Sequence, residues 1–152
     1  MVDRSAIGMT DDGYTMEVER GKIREFARAT QSANPDYLEA ECPVIPPTFL
    51  TTQQFWSPPG KGVFSKVRMD LRRLLHGGQE YVFHGPPPVA GTRLHVRTRV
   101  EDIHEKEGRR GGTMTFVISV TEFRDDDGNP WWAMATGRTP ISSSACIMLI
   151  CA

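Results

Sequence analysis

From Leu94 to Val100 every second residue is apolar or uncharged. Leu94, Val96, Thr98 and Val100 form one row, and His95, Arg97 and Arg99 fill the positions between. A two-residue period turns one face of a strand toward a core and the other toward water. A second run repeats the pattern: Met114, Phe116, Ile118 and Val120 alternate with Thr115, Val117, Ser119 and Thr121. In both runs the apolar parity slips, at Ile103 and at Phe123. A slip of one residue sends every later side chain to the opposite face, so these slips predict β-bulges in a curved sheet. Residues 14–18, 79–83 and 132–139 predict further strands. Gly111-Gly112 and Asp127-Gly128 predict tight antiparallel turns.

The first third of the chain has a different period. Ile23, Phe26, Ala27 and Thr30 fall at i, i+3, i+4 and i+7, the apolar stripe of an amphipathic helix over 22–30. Asn34-Pro35 predicts the start of a short second helix, with asparagine capping and proline in the first turn. Residues 43–47 are proline-stiffened and extended. Residues 48–56 are a weakly polar, aromatic-bearing helix candidate, ended by Pro58-Pro59-Gly60-Lys61-Gly62. A curled sheet needs something on its concave face, and 48–56 is the only candidate long enough. The expected fold class is therefore α+β: a single hot-dog domain, a curved antiparallel sheet wrapped round a central helix. It spans residues 1–141, followed by an apolar tail, 142–152. That tail could add an edge strand or cover an apolar surface, and no function is placed on it.

Composition narrows the picture without changing it. The chain has 152 residues, enough for one domain with a proper core. A formal net charge of -1 gives no reason to expect a nucleic-acid partner. The first twelve residues hold no apolar run, so no signal peptide and no membrane association are expected. Cys42, Cys146 and Cys151 have neither metal-ligand spacing nor a disulfide framework, so a reducing cytoplasm is the expected compartment.

The chemistry concentrates at 29–39, which reads Ala-Thr-Gln-Ser-Ala-Asn-Pro-Asp-Tyr-Leu-Glu. It resembles the Gly-Asp-x-Asn-Pro-x-His signature of MaoC-like (R)-specific enoyl-CoA hydratases. Superposing Asn34-Pro35 puts Ser32 where that family keeps aspartate and Tyr37 where it keeps histidine. Hydration of an enoyl thioester needs a base to activate water and an acid to protonate the α carbon. Neither a hydroxyl nor a phenol ionises near neutral pH without strong perturbation. No catalytic residue is therefore assigned, and Ser32 and Tyr37 stand as degenerate positions. Both are expected to face the mouth of a tunnel between subunits, near the start of the 48–56 helix.

Other segments resemble the MaoC-like dehydratase N-terminal domain in the same order. They are 22–29 for its first helix, Ile45-Pro46-Pro47-Thr48-Phe49 for its Ala-Pro-Pro-Thr-Phe segment, 75–81 for its second strand, and Gly91-Thr92-Arg93-Leu94 for its Gly-Asp-x-Leu turn. The resemblance implies that Asn34, Pro46, Pro47, Thr48 and Phe49 bind substrate. In active relatives the N-terminus of the central helix offers N–H groups to the thioester oxygen. Prolines cannot donate, which leaves Thr48 or Phe49. Phe49, Phe55 and Trp56 also suit core or interface packing. His76, His84, His95 and His104 lack metal-ligand spacing, and His84 is the one to test if the chain is active alone. Arg68, Arg72, Arg73, Arg109 and Arg110 could meet phosphates or simply be solvated.

The resemblance implies a non-catalytic subunit of a heteromeric enoyl-thioester hydratase or dehydratase. Its partner would be a second hot-dog chain carrying the aspartate and histidine. The substrate would be a CoA or ACP thioester with a long or bulky acyl group, a steroid side chain among them, and no cofactor or metal is implied. Two alternatives stand beside this: an active homodimeric hydratase using Ser32, Asn34, Tyr37 or His84, and a module that binds acyl-CoA or a partner without reaction.

Overall fold

The structure is a computed structural model that describes residues 3–67, 72, 74–107, 112–135 and 145–151. Its strands are β1 (Tyr14–Glu17), β2 (Leu74–Phe83), β3 (Arg93–Glu107), β4 (Thr113–Arg124), β5 (Pro130–Ala135) and β6 (Ala145–Cys151). Every pairing is antiparallel. β3 and β4 form the long central hairpin, and β1 pairs with the other side of β3. β5 and β6 run in line along the far side of β4, opposite 121–124 and 114–120 respectively. Both then bond to β2, which takes the outermost position. The apolar tail is thus no edge strand: β6 has partners on both sides.

Besides a single 3₁₀ turn at Arg4–Ala6, the helices are α1 (Arg20–Ala29), α2 (Pro35–Leu38), a 3₁₀ helix (Phe49–Phe55) and α3 (Val63–Lys66). α1 buries Ile23 and Ala27, the stripe read from the sequence, and Phe26 meets Phe49 edge to face with ring centroids 5.6 Å apart. The expected central helix is present but short and tightly wound. The Thr51 and Thr52 hydroxyls donate back to the Thr48 and Phe49 carbonyls at 2.9 and 2.8 Å. Such local bonds compete with a regular α-helix, and 3₁₀ runs are intrinsically short.

The bulge expected near Ile103 is there. Val100 pairs with Ser119 and Asp102 with Ile118, so Glu101 is the extra residue. The slip at Phe123 has a different origin. β4 runs through without a shift against β3 beyond that point, and its buried row is Thr115, Val117, Ser119, Thr121 and Phe123. The register break lies in β5, where Trp131 is skipped between Pro130 and Trp132. The more apolar row of β4 is therefore not the concave one. Ile118 and Val120 make a small separate cluster on the other face.

On the concave side the core has two parts. One gathers Met16, Val18, Ile23, Ile45, Phe49, Leu50, Leu94, Val96 and Phe123. The other gathers Ala6, Val63, Val67, Val100, Ile103 and Val117. Between them β3 and β4 place Thr98, Ser119 and Thr121, all nearly inaccessible.

Candidate functional site

The signature segment is built by the end of α1. The Gln31 N–H donates to Arg28 and the Ser32 N–H to Ala27, at 3.0 and 2.8 Å. This is the paired-bond C-terminus that needs a left-handed residue just past the cap. That residue is Gln31, at φ 57°, the only non-glycine with positive φ among the described residues. The signature has glycine at this position, the residue that takes this conformation most readily. A left-handed non-glycine residue costs about 1–2 kcal/mol. Gln31→Gly is therefore expected to stabilise the chain by about 1 kcal/mol, net of the extra freedom glycine brings to the unfolded state. Thermal unfolding should show a rise of roughly 2–4 °C, and no rise would remove the strain argument.

Ser32 and Asn34 are spent on local structure. The Ser32 hydroxyl accepts from the Asn34 N–H at 3.3 Å, and the Asn34 side chain caps α2 by accepting from the Asp36 N–H at 2.9 Å. Tyr37 is half-buried against the core. With Val44, Ile45, Pro47, Phe83, Gly85 and Pro87 it lines an apolar cleft of about 280 Å³. Tyr37 and Pro47 thus come together beside the start of the 3₁₀ helix, and Ser32 is not among the residues lining that cleft. Val44, Phe83, Gly85 and Pro87 were not singled out from the sequence. They carry no reactive group, and only the fold brings 43–47 against the end of β2.

At the helix start, Pro46 is buried and its carbonyl accepts from the Phe49 N–H at 2.9 Å. That amide is committed. Phe49 itself is 0% exposed, a core residue rather than a cleft wall. Pro47 and Thr48 are exposed. Among the described residues the Thr48 N–H meets no acceptor.

A second space lies under the sheet. A cavity of about 440 Å³ is bordered by the polar band of β3 and β4, by the 3₁₀ helix, and by Asp11 and Tyr14. Burial, and then the nearby Asp11 carboxylate, push the Tyr14 phenol well above its ordinary value of 10.0. The folded state therefore holds this proton where the unfolded chain loses it, and stability must fall as pH rises past about 10. Tyr14→Phe should flatten that alkaline loss in denaturant titrations between about pH 9 and 11. An unchanged slope would show that the phenol is not the group responsible.

Residues 5–134 match the family described as FAS1-like, dehydratase domain region. The chain belongs to that family. A UPF0336 protein of Streptomyces coelicolor is 35% identical over 116 residues, covering 70% of this chain and 77% of its own. The HadBC (3R)-hydroxyacyl-ACP dehydratase complex of Mycobacterium tuberculosis contains a similar chain, with TM-score 0.71 and 22% identity over 95% of this chain and 96% of that one. So does the ChsH1–ChsH2 complex of the same organism, with TM-score 0.65 and 13% identity over 97% and 90%. At these identities the structural likeness establishes the fold, the hot dog of the MaoC-like dehydratases.

The remaining polar groups of this FAS1-like dehydratase-region chain sit outside both spaces or at their rims. His84 is exposed just beyond β2, and His76 is exposed at the rim of the cavity under the sheet. His95 and Arg93 converge on Asp126, with contacts of 2.8 to 3.0 Å. The Arg93 guanidinium, and then the His95 ring, hold the Asp126 carboxyl below its usual range. His104 pairs with Asp102 at 2.7 Å and stacks on Phe116. Among the described residues no three His, Cys, Asp or Glu side chains converge as a metal site. No helix among them is long and apolar enough to cross a membrane. Arg72 is exposed, and Arg68, Arg73, Arg109 and Arg110 lie outside the described residues.

Proposed function

We propose that this chain is the non-catalytic, acyl-chain-binding subunit of a heteromeric (R)-specific enoyl-CoA hydratase or 3-hydroxyacyl-thioester dehydratase of lipid metabolism, working in the cytoplasm. The observation that carries the reading is the motif turn: Gln31, aligned with the signature's glycine, is left-handed, and the same alignment puts Ser32 and Tyr37 at the positions of the aspartate and histidine. The Ser32 oxygen is tied to a backbone amide and Tyr37 sits in an apolar cleft. Neither is placed to take a proton from water.

In the reaction a second hot-dog chain supplies the aspartate and histidine. Its pair deprotonates water, the oxygen adds to the β carbon of the enoyl thioester, and the α carbon takes up a proton. The present chain contributes shape: the Tyr37 cleft and the space beneath the sheet receive acyl chain. Two of the similar structures are complexes, HadBC and ChsH1–ChsH2, which favours a partner. Exposed apolar side chains do too. Phe55, at the end of the 3₁₀ helix, is 72% exposed, and Leu75, on the outermost strand, is 59% exposed.

The test is assembly. Co-expressed with a hot-dog chain from the same genome that carries intact Asp and His, the protein should co-purify as a defined complex. Sedimentation of the chain by itself should show self-association, since an uncovered strand edge and apolar patches are normally covered. A stable monomer at micromolar concentration that ignores such a partner would sink the reading.

A further inference from the structure

α1 carries a row of arginines that the rest of the chain does not answer. Arg20, Arg24 and Arg28 fall at i, i+4 and i+8, so they stack along one flank of the helix, beside the buried stripe of Ile23 and Ala27. Like charges at that spacing repel. The carboxylate within the helix, Glu25, is taken by Lys22 at 2.8 Å. Arg20 reaches only the Ala40 carbonyl, at 3.3 Å. Among the described residues neither Arg24 nor Arg28 makes an ion pair.

Arg24 is the informative member. It is half-buried, and its Nε is the one buried side-chain nitrogen or oxygen among the described residues that meets no partner. Its two Nη groups make no hydrogen bond either, and they reach the surface. An arginine cannot shed its charge to escape a poor site. A half-buried guanidinium with none of its N–H donors met is costly unless an acceptor arrives from outside the chain. Arginine is also the charged residue most used at the desolvated centre of protein interfaces, where its planar fork takes a carboxylate through two parallel bonds.

Resting on the subunit reading above, we propose that the Arg20–Arg24–Arg28 flank of α1 is a contact surface for the partner hot-dog chain, which places a carboxylate on Arg24. Charge sets the kind of surface that fits. The chain as a whole stands at -1, whereas α1 carries four cations and one carboxylate. The matching surface is therefore acidic. An aliphatic surface would bury the guanidinium without serving it, and a basic one would repel the whole row. The row is about 12 Å long, so a second carboxylate one turn along the partner would reach Arg20 or Arg28. Those two are exposed. They form a solvated rim, where an ion pair counts for little, and Arg24 is the anchor.

Affinity between the two purified subunits, measured by calorimetry, tests the proposal together with thermal unfolding of the lone chain. Arg24→Met keeps the apolar stem and removes the charged head. Its affinity for the partner should fall about thirtyfold or more, the scale for truncating one side of a buried charge pair. The lone variant should unfold at the wild-type temperature or above it, because an unpaired cation has gone. Arg24→Lys keeps the charge without the fork and should recover part of the affinity. Lys22→Met, whose ammonium is already paired on its own helix, should change affinity by less than about threefold. An Arg24→Met chain that assembles as tightly as wild type would overturn the proposal and leave the subunit reading intact. So would a lone Arg24→Met chain that unfolds several degrees lower, since the arginine would then be serving its own fold. Inorganic phosphate that raises the unfolding temperature of wild type but not of Arg24→Met, with assembly unchanged, would assign the arginine to a small anion instead. Failure of the wild-type chain to assemble at all removes the subunit reading, and this surface with it.

Discussion

The purified chain alone is expected to hydrate crotonyl-CoA, or a longer enoyl-CoA, no faster than a buffer control. Positioned acid–base groups typically contribute about 10²–10⁴-fold, and here both positions have lost them. Ser32 offers a hydroxyl whose oxygen accepts from the Asn34 N–H, and Tyr37 offers a phenol among Val44, Ile45, Pro47 and Phe83. The same assay with the assembled complex should show loss of the enone absorbance at an ordinary enzymatic rate. A turnover of even about 1 per second by the lone chain, within the usual enzyme range, would refute the non-catalytic reading. Installing Ser32→Asp with Tyr37→His in the lone chain should restore at most a trace of activity. The supporting residues must hold such groups to within about 0.5 Å, and two substitutions do not supply that support.

How much of this was legible in the sequence varies by element, for physical reasons. α1 was legible because Ile23 and Ala27 sit on a single stripe that burial alone dictates. The Glu101 bulge was legible because the buried row of β3 itself changes parity between Val100 and Ile103. β4 was misread because alternation tells which face is more apolar, whereas the fold decides which face is concave. In β4 the concave face is the one bearing Thr115, Ser119 and Thr121. For the same reason the Asp11–Thr98–Thr121 cluster stayed hidden. Its hydrogen-bonded pairs, Asp11 with Thr98 and Thr98 with Thr121, are 87 and 23 residues apart, and each member looks like an ordinary turn or strand residue by itself. The central helix was located correctly, but its 3₁₀ winding follows from two threonine back-bonds that periodicity does not report. At the signature segment, the left-handed backbone of Gln31 is something no side-chain pattern reveals.

Phe49→Ala should be the most destabilising single change at the helix start. Phe49 is 0% exposed and belongs to the same cluster as Met16, Leu94, Val96 and Phe123, with Phe26 edge-on to its ring. Removing a buried phenylalanine costs about 3–5 kcal/mol, part from lost transfer energy and part from the cavity left behind. For a chain of this size that is a fall in Tm of roughly 10 °C, readable by calorimetry or by a shifted denaturant midpoint. The high end is expected, because the helix that carries Phe49 is only seven residues long and brings just one other buried side chain, Leu50, into the core. Little neighbouring apolar mass is available to collapse into the space. Phe55, on the same helix but 72% exposed, supplies the contrast. Phe55→Ser should alter the stability of the chain by no more than about 0.5 kcal/mol, yet weaken assembly with the catalytic partner. A cost under about 1 kcal/mol for Phe49→Ala, set against the scale for buried aromatic residues, would mean that the 3₁₀ helix does not anchor the concave core. The cleft that Pro47 shares with Tyr37 would then have no fixed wall, and the acyl-binding reading would lose its scaffold.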